Sequence, residues 1–501
     1  MGREESRDYL TKQIITYIGN KRELLKEIEK EVVFVCKELN KEKLVCLDLF
    51  SGSGVVARFL KQYSSKIIAN DLEGYSKVIN ECFLSNKSEF DKELFNELLS
   101  KINILVNEKP IDGIIRNNYS PKDDKNIKED DRAFYTNKNA TFIDSFRHYI
   151  DVVVPDNYKK YFLALLLTEA SVHVNTCGVF KGFYKDTDTG IGKFGGKAEN
   201  ALNRIKGDIK ISEPFLSNFE SEYNVFQEDA NKLASELKDL DLVYLDPPYN
   251  QHPYGSNYFM LNIILKNKIE GKLSKVSGIP DDWNHSIYNK KQTALNGMKD
   301  IISKLDTKYV LISYNNEGFI TYDEMKSMLH NFGDVIAKRI KYNTFRGSRN
   351  LRERNIHTNE FLFLLKKEKW FMAFGDVLKR NIHNLSEASE GKNDSNAFWI
   401  ILRDIAVMEI MAIYPQKVDS DIAVDVYYNI LSENSLSLPP YFKQKLKSNK
   451  QERFRVINRN MWTSNAFHAE GLANQPSIKA YKELNPYRKG EKIVYQGIKK
   501  C

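Results

Sequence analysis

The sequence predicts an α/β fold in which one parallel sheet is interrupted by an inserted segment and followed by a mostly helical region. Two strand–turn–helix units follow each other within residues 44–83, buried-strand patterns resume after residue 222, and strand patterns thin out after Lys369. Consecutive β-α units require right-handed crossovers and therefore a parallel sheet. At 501 residues, the chain has room for about two to four domains.

The first two units are the clearest. An apolar strand at 44–47 leads through a glycine turn into a helix-compatible stretch at 55–60. A second short strand at 66–69 stops at Asn70 and Asp71, and a helical spacing of apolar residues follows it. Later strands of the same sheet are predicted at 240–245, 309–313 and 360–365.

The interruption between the two halves of the sheet covers about residues 85–222. It contains a polar stretch at 117–131, a helical stretch at 139–167 and a loop rich in glycine, lysine and aromatic residues at 175–197. An insertion of this length predicts a domain of its own. The predicted organisation is a domain built from 12–84 and 223–369, an inserted domain at 85–222, and a mostly helical C-terminal region of unknown role at 370–501.

Composition excludes several classes of protein. The chain is 42% hydrophobic and can fill sizeable cores, yet no uncharged apolar run approaches the roughly 18 residues that span a membrane. Its five cysteines form no Cys-x-x-Cys pair, so we expect a reduced, intracellular protein without structural zinc or disulfide bonds. The net charge of +8 is a mild indication of an anionic partner.

The glycine turn carries the first candidate binding residues. Gly52 and Gly54 lack a Cβ atom and can adopt positive φ, so a ligand can approach the backbone closely there. Asp48 ends the first strand and Asp71 follows the second, a spacing typical of acids that bind the polar groups of a nucleotide. The third glycine of dinucleotide sites is absent, and a plain tight connection explains this turn equally well.

The decisive motif is Asp246-Pro247-Pro248-Tyr249, which follows the strand at 240–245 directly. Proline has no backbone N–H to donate to a neighbouring strand, and its ring fixes φ. The chain therefore leaves the sheet in a rigid conformation at the carboxyl edge. The Asp246 carboxylate, the Pro247 carbonyl and the Tyr249 ring are thereby held in a fixed relation. Two acceptors beside an aromatic plane suit a planar ring with an exocyclic amine. The two acceptors hydrogen-bond the amine hydrogens while the amine nitrogen attacks an electrophile. The cation that results loses a proton easily.

These motifs resemble those of the S-adenosylmethionine-dependent DNA adenine N6-methyltransferases, in particular the alpha-class, Dam-like group of restriction–modification systems. The resemblance covers residues 12–368, and no family motif is found after residue 370. It implies a Rossmann-like methyltransferase sheet. It also implies that the insertion is a target-recognition domain, because members of this group place that domain between the cofactor half and the catalytic half. Further stretches that resemble the group are 17–22, 250–258, 313–318 and 360–366.

The resemblance implies a set of catalytic residues: Asp246, Pro247, Pro248 and Tyr249. It also implies S-adenosylmethionine as the cofactor, held by a second set: Tyr17, Lys21, Asp48, Phe50, Gly52, Gly54, Asp71 and Asp229. Within that set Asp48 would lie by the methionine end, Asp71 by the ribose and Asp229 by the adenine. Glu73 and Glu228 remain alternatives for the ribose and adenine contacts, and no metal site is expected.

Double-stranded DNA is the implied partner, and the loop at 175–197 is the candidate contact. Cations and aromatic residues alternate there, as phosphate contacts and base readout require. Asn175 and Thr176 are candidates for reading base edges. An ordinary basic surface loop is the alternative interpretation. The predicted DNA contacts are Asn175, Thr176, Lys181, Tyr184, Lys185, Lys193 and Lys197.

The leading prediction is a prokaryotic, cytoplasmic enzyme without a membrane partner. It would flip an adenine out of the duplex, stack it on Tyr249 and methylate its N6 amine, protecting the DNA from a companion restriction endonuclease. A ribosomal RNA guanine N2-methyltransferase is one alternative, because guanine also bears an exocyclic amine. The other alternative is an inactive DNA-binding regulator on this fold. It would predict damage at Asp246, Tyr249 or Gly52, and all three are intact.

Overall fold

A computed structural model describes residues 4–196, 199, 201–343 and 357–367 of the chain. These residues contain a seven-stranded sheet with the order β3-β2-β1-β4-β5-β7-β6. The first five strands in that order are parallel, and β7 runs antiparallel between β5 and β6. The predicted α/β class is therefore confirmed. The strands are β1 Leu44–Asp48, β2 Ser64–Asn70, β3 Glu222–Phe226, β4 Leu240–Leu245, β5 Thr307–Asn315, β6 Gly333–Asn343 and β7 His357–Lys367.

Two of these strands, β3 and β6, were not predicted from the sequence. Each lies at an edge of the sheet. The side chains of β3 are half-buried or exposed throughout, and β6 places Lys338 and Arg339 in the middle of its length. Edge strands can carry charged residues because one side of the strand faces solvent. Neither β3 nor β6 therefore has the apolar run by which a central strand can be predicted.

Helices cover both faces of the sheet. Several begin at a side chain that accepts a backbone N–H: Asp91 caps α5, Thr136 caps α7, and Thr321 with Glu324 forms a capping box on α14. The helices are α1 Arg7–Thr11, α2 Leu25–Leu39, α3 Val55–Lys61, α4 Gly74–Phe83, α5 Lys92–Glu108, α6 Ile114–Asn118, α7 Asn137–Val153, α8 Lys159–Val172, α9 Leu202–Lys206, α10 Ala230–Glu236, α11 Tyr254–Asn257, α12 Phe259–Lys266, α13 Lys291–Lys304 and α14 Tyr322–His330.

Strand β4 shows how the two layers of helices share the sheet. Its side chains alternate: Leu242 and Tyr244 pack with α2 and α3, whereas Val243 and Leu245 pack with α10 and α13. A strand that is buried on both faces is apolar along most of its length. This explains why residues 242–245 of β4 were readable as a continuous apolar run; Asp241 of the same strand is buried too, and it pairs with Lys41.

The inserted segment has only a small hydrophobic cluster of its own within the described residues, around Ala133, Phe194 and Ile205. Its helices α5, α7 and α8 share one hydrophobic core with α4 and α12 of the sheet region. The predicted helical stretch at 139–167 is two helices, because Pro155 follows the end of α7 and interrupts the backbone hydrogen bonding. The predicted domain limits stay predictions, and residues 370–501 lie outside the described part of the chain.

The order of the strands creates a crevice at one place on the sheet. β1 lies between β2 and β4, and Asp48 at its end is level with Ala69 of β2 and Tyr244 of β4. The connection that follows β1 leads to β2 on one side, whereas β4 is the neighbour of β1 on the other side. The connections that follow β1 and β4 therefore run in opposite directions along the sheet. Ligands of open α/β sheets bind at such a switch point, beyond the carboxyl ends of the strands. No described helix is long and apolar enough to cross a membrane.

Candidate active site

An open cleft with an empty volume of about 910 Å³ lies at the carboxyl ends of β1, β2 and β4. Pro247, Tyr249 and Gly54 do not belong to its wall, although each adjoins a residue that does. The fold thus brings together residues from the amino terminus, the glycine turn, the loop after β2, the loop after β3 and the motif after β4. The predicted residues that line the cleft are Tyr17, Lys21, Asp48, Phe50, Gly52, Asp71, Asp229, Asp246 and Pro248.

The glycine turn allows Tyr17 to lie directly against the backbone. Gly52 has φ +50°, and a Cβ atom there would lie 2.6 Å from Cε1 of Tyr17. The Tyr17 ring in turn stacks on Tyr254 and Tyr258, with centroid distances of 5.0 and 4.8 Å. Gly54 has φ +76°, and a Cβ atom there would meet Oδ1 of Asn80 at 2.6 Å. The two glycines are therefore required by the packing of the protein itself.

Asp48 is the most unusual group in the cleft. It is buried, and neither carboxylate oxygen accepts a hydrogen bond of ordinary geometry within the described residues. Burial, together with the charges of Asp246 and Asp71, raises the pKa of Asp48 well above its usual value. An unpartnered buried carboxylate is costly to the fold. A cationic group of a bound ligand would satisfy it.

Two acidic residues follow β2 and line the same cleft. The Asp71 carboxylate accepts hydrogen bonds from the backbone N–H groups of Gly52 at 2.8 Å and Glu73 at 2.9 Å. The Glu73 carboxylate accepts from the amides of Asn262 at 2.6 Å and Asn284 at 3.3 Å. Burial raises the pKa of Asp71 to about 6, and burial with the Asp71 charge raises that of Glu73 to about 7. Either acid can reach a ligand in the cleft.

Asp229 and Glu228 enter the cleft from the loop after β3. Asp229 caps α10, where its Oδ1 accepts the N–H of Lys232 at 3.0 Å, and Glu228 forms an ion pair with the Lys232 side chain at 2.9 Å. Asn70 holds this loop in place, because its side-chain amide donates to the carbonyls of Leu49 and Glu228. Sequence reasoning did not assign Asn70 a role; its position at the end of β2 was the available signal.

The Asp246 motif forms the floor of the cleft beyond β4. Oδ1 of Asp246 lies 3.1 Å from Nζ of Lys21, and no described residue donates a hydrogen bond to Oδ2. Burial raises the pKa of Asp246 to about 7, although the Lys21 charge acts against it. The Tyr249 ring packs edge-on against Tyr314, and its carbonyl accepts the N–H of Phe319 at 2.9 Å. The proline-stiffened turn is thus anchored on both sides of the prolines.

Glu360 is a buried acid next to the cleft that sequence reasoning missed. It lies on β7, where its Oε1 accepts from Nζ of Lys21 at 2.6 Å and from Oγ of Ser313 at 2.9 Å. Its Oε2 accepts from the amide of Asn315 at 3.0 Å. Lys21 and Glu360 are 339 positions apart in the chain. No local pattern in the sequence could have paired them.

Comparison with known protein families identifies the family of this chain. Residues 17–328 match the description "D12 class N6 adenine-specific DNA methyltransferase". The chain belongs to this family. The resemblance predicted from the motifs is thereby confirmed, and the match begins at Tyr17, one of the predicted site residues.

Individual relatives of the methyltransferase are modification enzymes. Modification methylase StsI of Streptococcus sanguinis is 28% identical over 82% of this chain and 60% of its own length. Type II methyltransferase M.NlaIII of Neisseria lactamica is 29% identical over 70% of this chain and 99% of its own length. Type II methyltransferase M.CviAII of Paramecium bursaria Chlorella virus 1 is 30% identical over 65% of this chain and 92% of its own length.

The match to StsI corrects one expectation. It covers 82% of the 501 residues, which is more than residues 1–369 can supply. The similarity to this relative therefore does not end at residue 368, as the motifs alone had suggested. The C-terminal region of the methyltransferase shares sequence with at least one relative.

Asn175 of the basic loop, which we define as residues 175–196, is bonded within the protein. It is fully buried. Its amide nitrogen donates to the carbonyls of Ala133 and Lys193, and its Oδ1 accepts the N–H of Gly195 at 3.0 Å. Thr176 is also buried and its Oγ1 accepts the N–H of Gly178 at 3.2 Å. Both residues brace the loop, and this geometry argues against the prediction that either reads a base edge.

The cations of the basic loop are placed differently. Lys181 is exposed, and Lys185 lies over the ring of Phe183 with its Nζ 5.2 Å from the centroid. Lys193 lies 3.6 Å from Glu199 and 4.0 Å from Asp186. Tyr184 is half-buried, and Lys197 lies outside the described residues. Contact with DNA remains a prediction for all of them.

The basic loop is attached to the segment that follows the catalytic motif. The N–H of Phe180 donates to the carbonyl of Asn257 at 2.8 Å, and the Phe180 ring packs edge-on against Tyr258. Because Tyr258 stacks on Tyr17 of the cleft wall, the loop and the cleft are joined by direct packing.

Proposed function

We propose that this methyltransferase transfers the methyl group of S-adenosylmethionine to the N6 amine of an adenine flipped out of double-stranded DNA at a specific sequence. The observation that carries the proposal is the placement of Asp246. It lies at the carboxyl edge of the sheet, it lines the cleft with Pro248, and it has one carboxylate oxygen without a protein donor in the described part of the chain.

The residues of the cleft fit S-adenosylmethionine. The unpartnered Asp48 carboxylate suits the ammonium group at the methionine end. Asp71, with Glu73 as the alternative, suits the ribose hydroxyls, and Asp229 or Glu228 suits the adenine. Bound there, the molecule supplies an electrophilic methyl group on a positively charged sulfur.

Asp246, Pro247 and Tyr249 are proposed to handle the target adenine. The Tyr249 ring offers a stacking surface that offsets part of the few kcal/mol lost when a base leaves the duplex. The Oδ2 atom of Asp246 and the carbonyl of Pro247 accept the two amine hydrogens. As the N–C bond forms, the bond between the methyl carbon and the sulfur would break, and its electron pair would stay on the sulfur, leaving a neutral thioether. The amine nitrogen is then cationic, and one of its protons passes to Asp246 and then to solvent. The nitrogen is left neutral.

The alternatives considered from the sequence have no observation in their favour. The matched family acts on DNA and is specific for adenine by its description, which disfavours a ribosomal RNA guanine N2-methyltransferase. An inactive regulator would have lost part of the cleft. Here Gly52 and Asp246 both line it, and Tyr249 is anchored beside them.

The names of the relatives extend the proposal to a biological role. StsI is called a modification methylase, and M.NlaIII and M.CviAII are called Type II methyltransferases. We propose that this chain likewise protects DNA in the cytoplasm of a prokaryote against a companion restriction endonuclease that acts separately.

A pair of variants tests the proposal. Asp246→Ala should abolish methyl transfer to DNA and leave calorimetric binding of S-adenosylmethionine within several-fold. Asp48→Asn should instead weaken that binding, because it removes the charge that faces the ammonium group. Single-molecule sequencing of genomic DNA from cells expressing the unaltered chain should show N6-methyladenine at one sequence motif. Methylated cytosine, or methylated ribosomal RNA with unmodified DNA, would refute the proposal.

A further inference from the structure

Three charged side chains from distant parts of the chain meet beside the cleft. Lys21 lies just before α2, Asp246 follows β4, and Glu360 lies in β7. The Lys21 ammonium lies 3.1 Å from Asp246 and 2.6 Å from Glu360, and the side chains of Lys21 and Glu360 are only 5% and 2% exposed. The Asp246 side chain is 19% exposed. A second acid beside the buried pair of Lys21 and Glu360 exceeds what a simple stabilising ion pair needs, since burial of each charge is costly.

We propose that Glu360 is a positioning residue for methyl transfer: it holds Lys21 so that the ammonium engages one oxygen of Asp246 and leaves the other for the target amine. The proposal rests on the proposed function, in which Asp246 accepts the amine hydrogen. Glu360 itself would touch neither the adenine nor the methyl donor.

The contacts of Glu360 show why it can serve as a fixed anchor. Both of its carboxylate oxygens are used: Oε1 by Lys21 and Ser313, and Oε2 by Asn315. Ser313 and Asn315 lie at the end of β5, in register with β7. The anchor is therefore part of the sheet. Lys21 contacts this anchor through a flexible side chain. Without the anchor, its ammonium group would be free to cover both carboxylate oxygens of Asp246.

The charges of the group are interdependent. Burial opposes the charge of Lys21, but Asp246 and Glu360 outweigh it and raise the pKa of Lys21 above its usual value. Burial would also raise the pKa of Glu360, yet Lys21 and the hydrogen bonds lower it. Lys21 lowers the pKa of Asp246 and Glu360 raises it. The other titratable groups that act electrostatically with Asp246 are Asp48, Tyr244, Tyr249 and Tyr254.

Glu360→Gln tests the proposal because it keeps the shape of the side chain and removes its charge. The ammonium of Lys21 would then be attracted by Asp246 alone and would bind it more tightly. Asp246 becomes a weaker acceptor. We expect kcat for methyl transfer at pH 8 to fall on the order of tenfold, and the acidic limb of its pH profile to move about one unit lower. The affinity for S-adenosylmethionine should stay within about threefold, because the lost charge lies beyond Asp246.

A double-mutant cycle with Lys21→Met separates this role from a structural one. Once Lys21 is gone, only the direct repulsion between the charges of Glu360 and Asp246 is left, and the ammonium that Glu360 would position is absent. Glu360→Gln should therefore lower kcat much less in that background than in the unaltered protein. The matched control is Glu31→Gln. Glu31 is a buried acid of α2 that pairs with Lys338 of β6, and its loss should lower stability and leave the pH profile unchanged.

Several outcomes would overturn the inference. An unchanged pH profile and kcat in Glu360→Gln, or independent effects of the two substitutions in the cycle, would mean that Glu360 serves stability alone. If Glu360→Gln does not fold, Ser313→Ala removes one donor to the same oxygen and keeps every charge. It should lower kcat a few-fold, and an unchanged kcat would also refute the proposal. Full activity of Asp246→Ala would instead refute the proposed function.

Discussion

The cleft and the basic loop both contain buried polar side chains, but they use them in opposite ways. In the cleft, neither oxygen of Asp48 accepts a hydrogen bond of ordinary geometry from the described residues, and Asp246 has a carboxylate oxygen without a protein donor among them. In the loop, Asn175 is just as buried, and its amide nitrogen and oxygen both bond to backbone. Unmet buried polar groups are costly, and a ligand in the cleft would satisfy Asp48. Other unmet atoms, among them Nε of Arg58 and Oδ1 of Asn80, lie outside the cleft wall, so an unmet group indicates a binding residue only where it also lines a cleft.

The largest effect is expected from a glycine-to-valine substitution in the cleft, and the same substitution in the basic loop is its control. Gly52→Val forces a side chain into the Tyr17 ring, 2.6 Å from Cε1, at a φ of +50° that valine rarely adopts. Tyr17 must move out of the cleft wall. We expect calorimetric affinity for S-adenosylmethionine to fall at least about 100-fold, or roughly 2.7 kcal/mol. The control is Gly182→Val in the basic loop, where a Cβ atom would meet nothing within 4 Å. Normal affinity in Gly52→Val would contradict the placement of the pocket.

Asn175→Ala tests the loop side of the comparison. The substitution removes the hydrogen bonds to the carbonyls of Ala133 and Lys193 and from the N–H of Gly195, although the Lys193 carbonyl keeps the N–H of Gly196 as a donor at 3.3 Å. We expect the folded conformation of the loop to lose about 1–3 kcal/mol of stability relative to its locally unfolded state. Faster proteolytic cleavage within residues 175–196 would show this loss. The recognition sequence should stay the same wherever the protein remains folded. A relaxed recognition sequence with an unchanged cleavage rate would restore Asn175 as a base-reading residue.

The contrast also explains what could be predicted from the sequence. The central strands were readable because burial on both faces demands apolar residues throughout, and the motif at Asp246 was readable because two prolines fix its geometry locally. Glu360 was not readable as the partner of Lys21, since only the folded sheet brings β7 next to the amino-terminal segment. The role of Asn175 could not be read from the sequence, because the same amide that reads a base can also brace a loop, and only burial in the fold favours the second use.

Glu73 offers a pH test of the buried acids. Its pKa is raised from 4.5 to about 7 by burial and by Asp71. The folded state therefore keeps a proton that the unfolded state releases, and stability falls as pH rises towards 7. We expect the unfolding free energy to drop between pH 5.5 and 8 by roughly 1–2 kcal/mol more in the unaltered protein than in Glu73→Gln. Urea unfolding without cofactor measures this. Equal drops in both proteins would show that Glu73 ionises normally.

The smallest expected effects concern two cations of the basic loop. Lys181 is exposed and Lys185 is half-buried over the Phe183 ring, whereas Asn175 and Thr176 are buried, so the loop can contribute charge to DNA binding without base readout by those two residues. Each true phosphate contact releases counterions, so Lys181→Ala and Lys185→Ala should each flatten the slope of log affinity against log salt by about one unit. Fluorescence anisotropy with a duplex at several salt concentrations gives the slope. Lys30→Ala is the control, because Lys30 lies on α2 and is paired with Glu27. Slopes equal to that of the control in both loop variants would make the loop an ordinary basic surface, and the DNA contacts would have to be sought elsewhere on the methyltransferase.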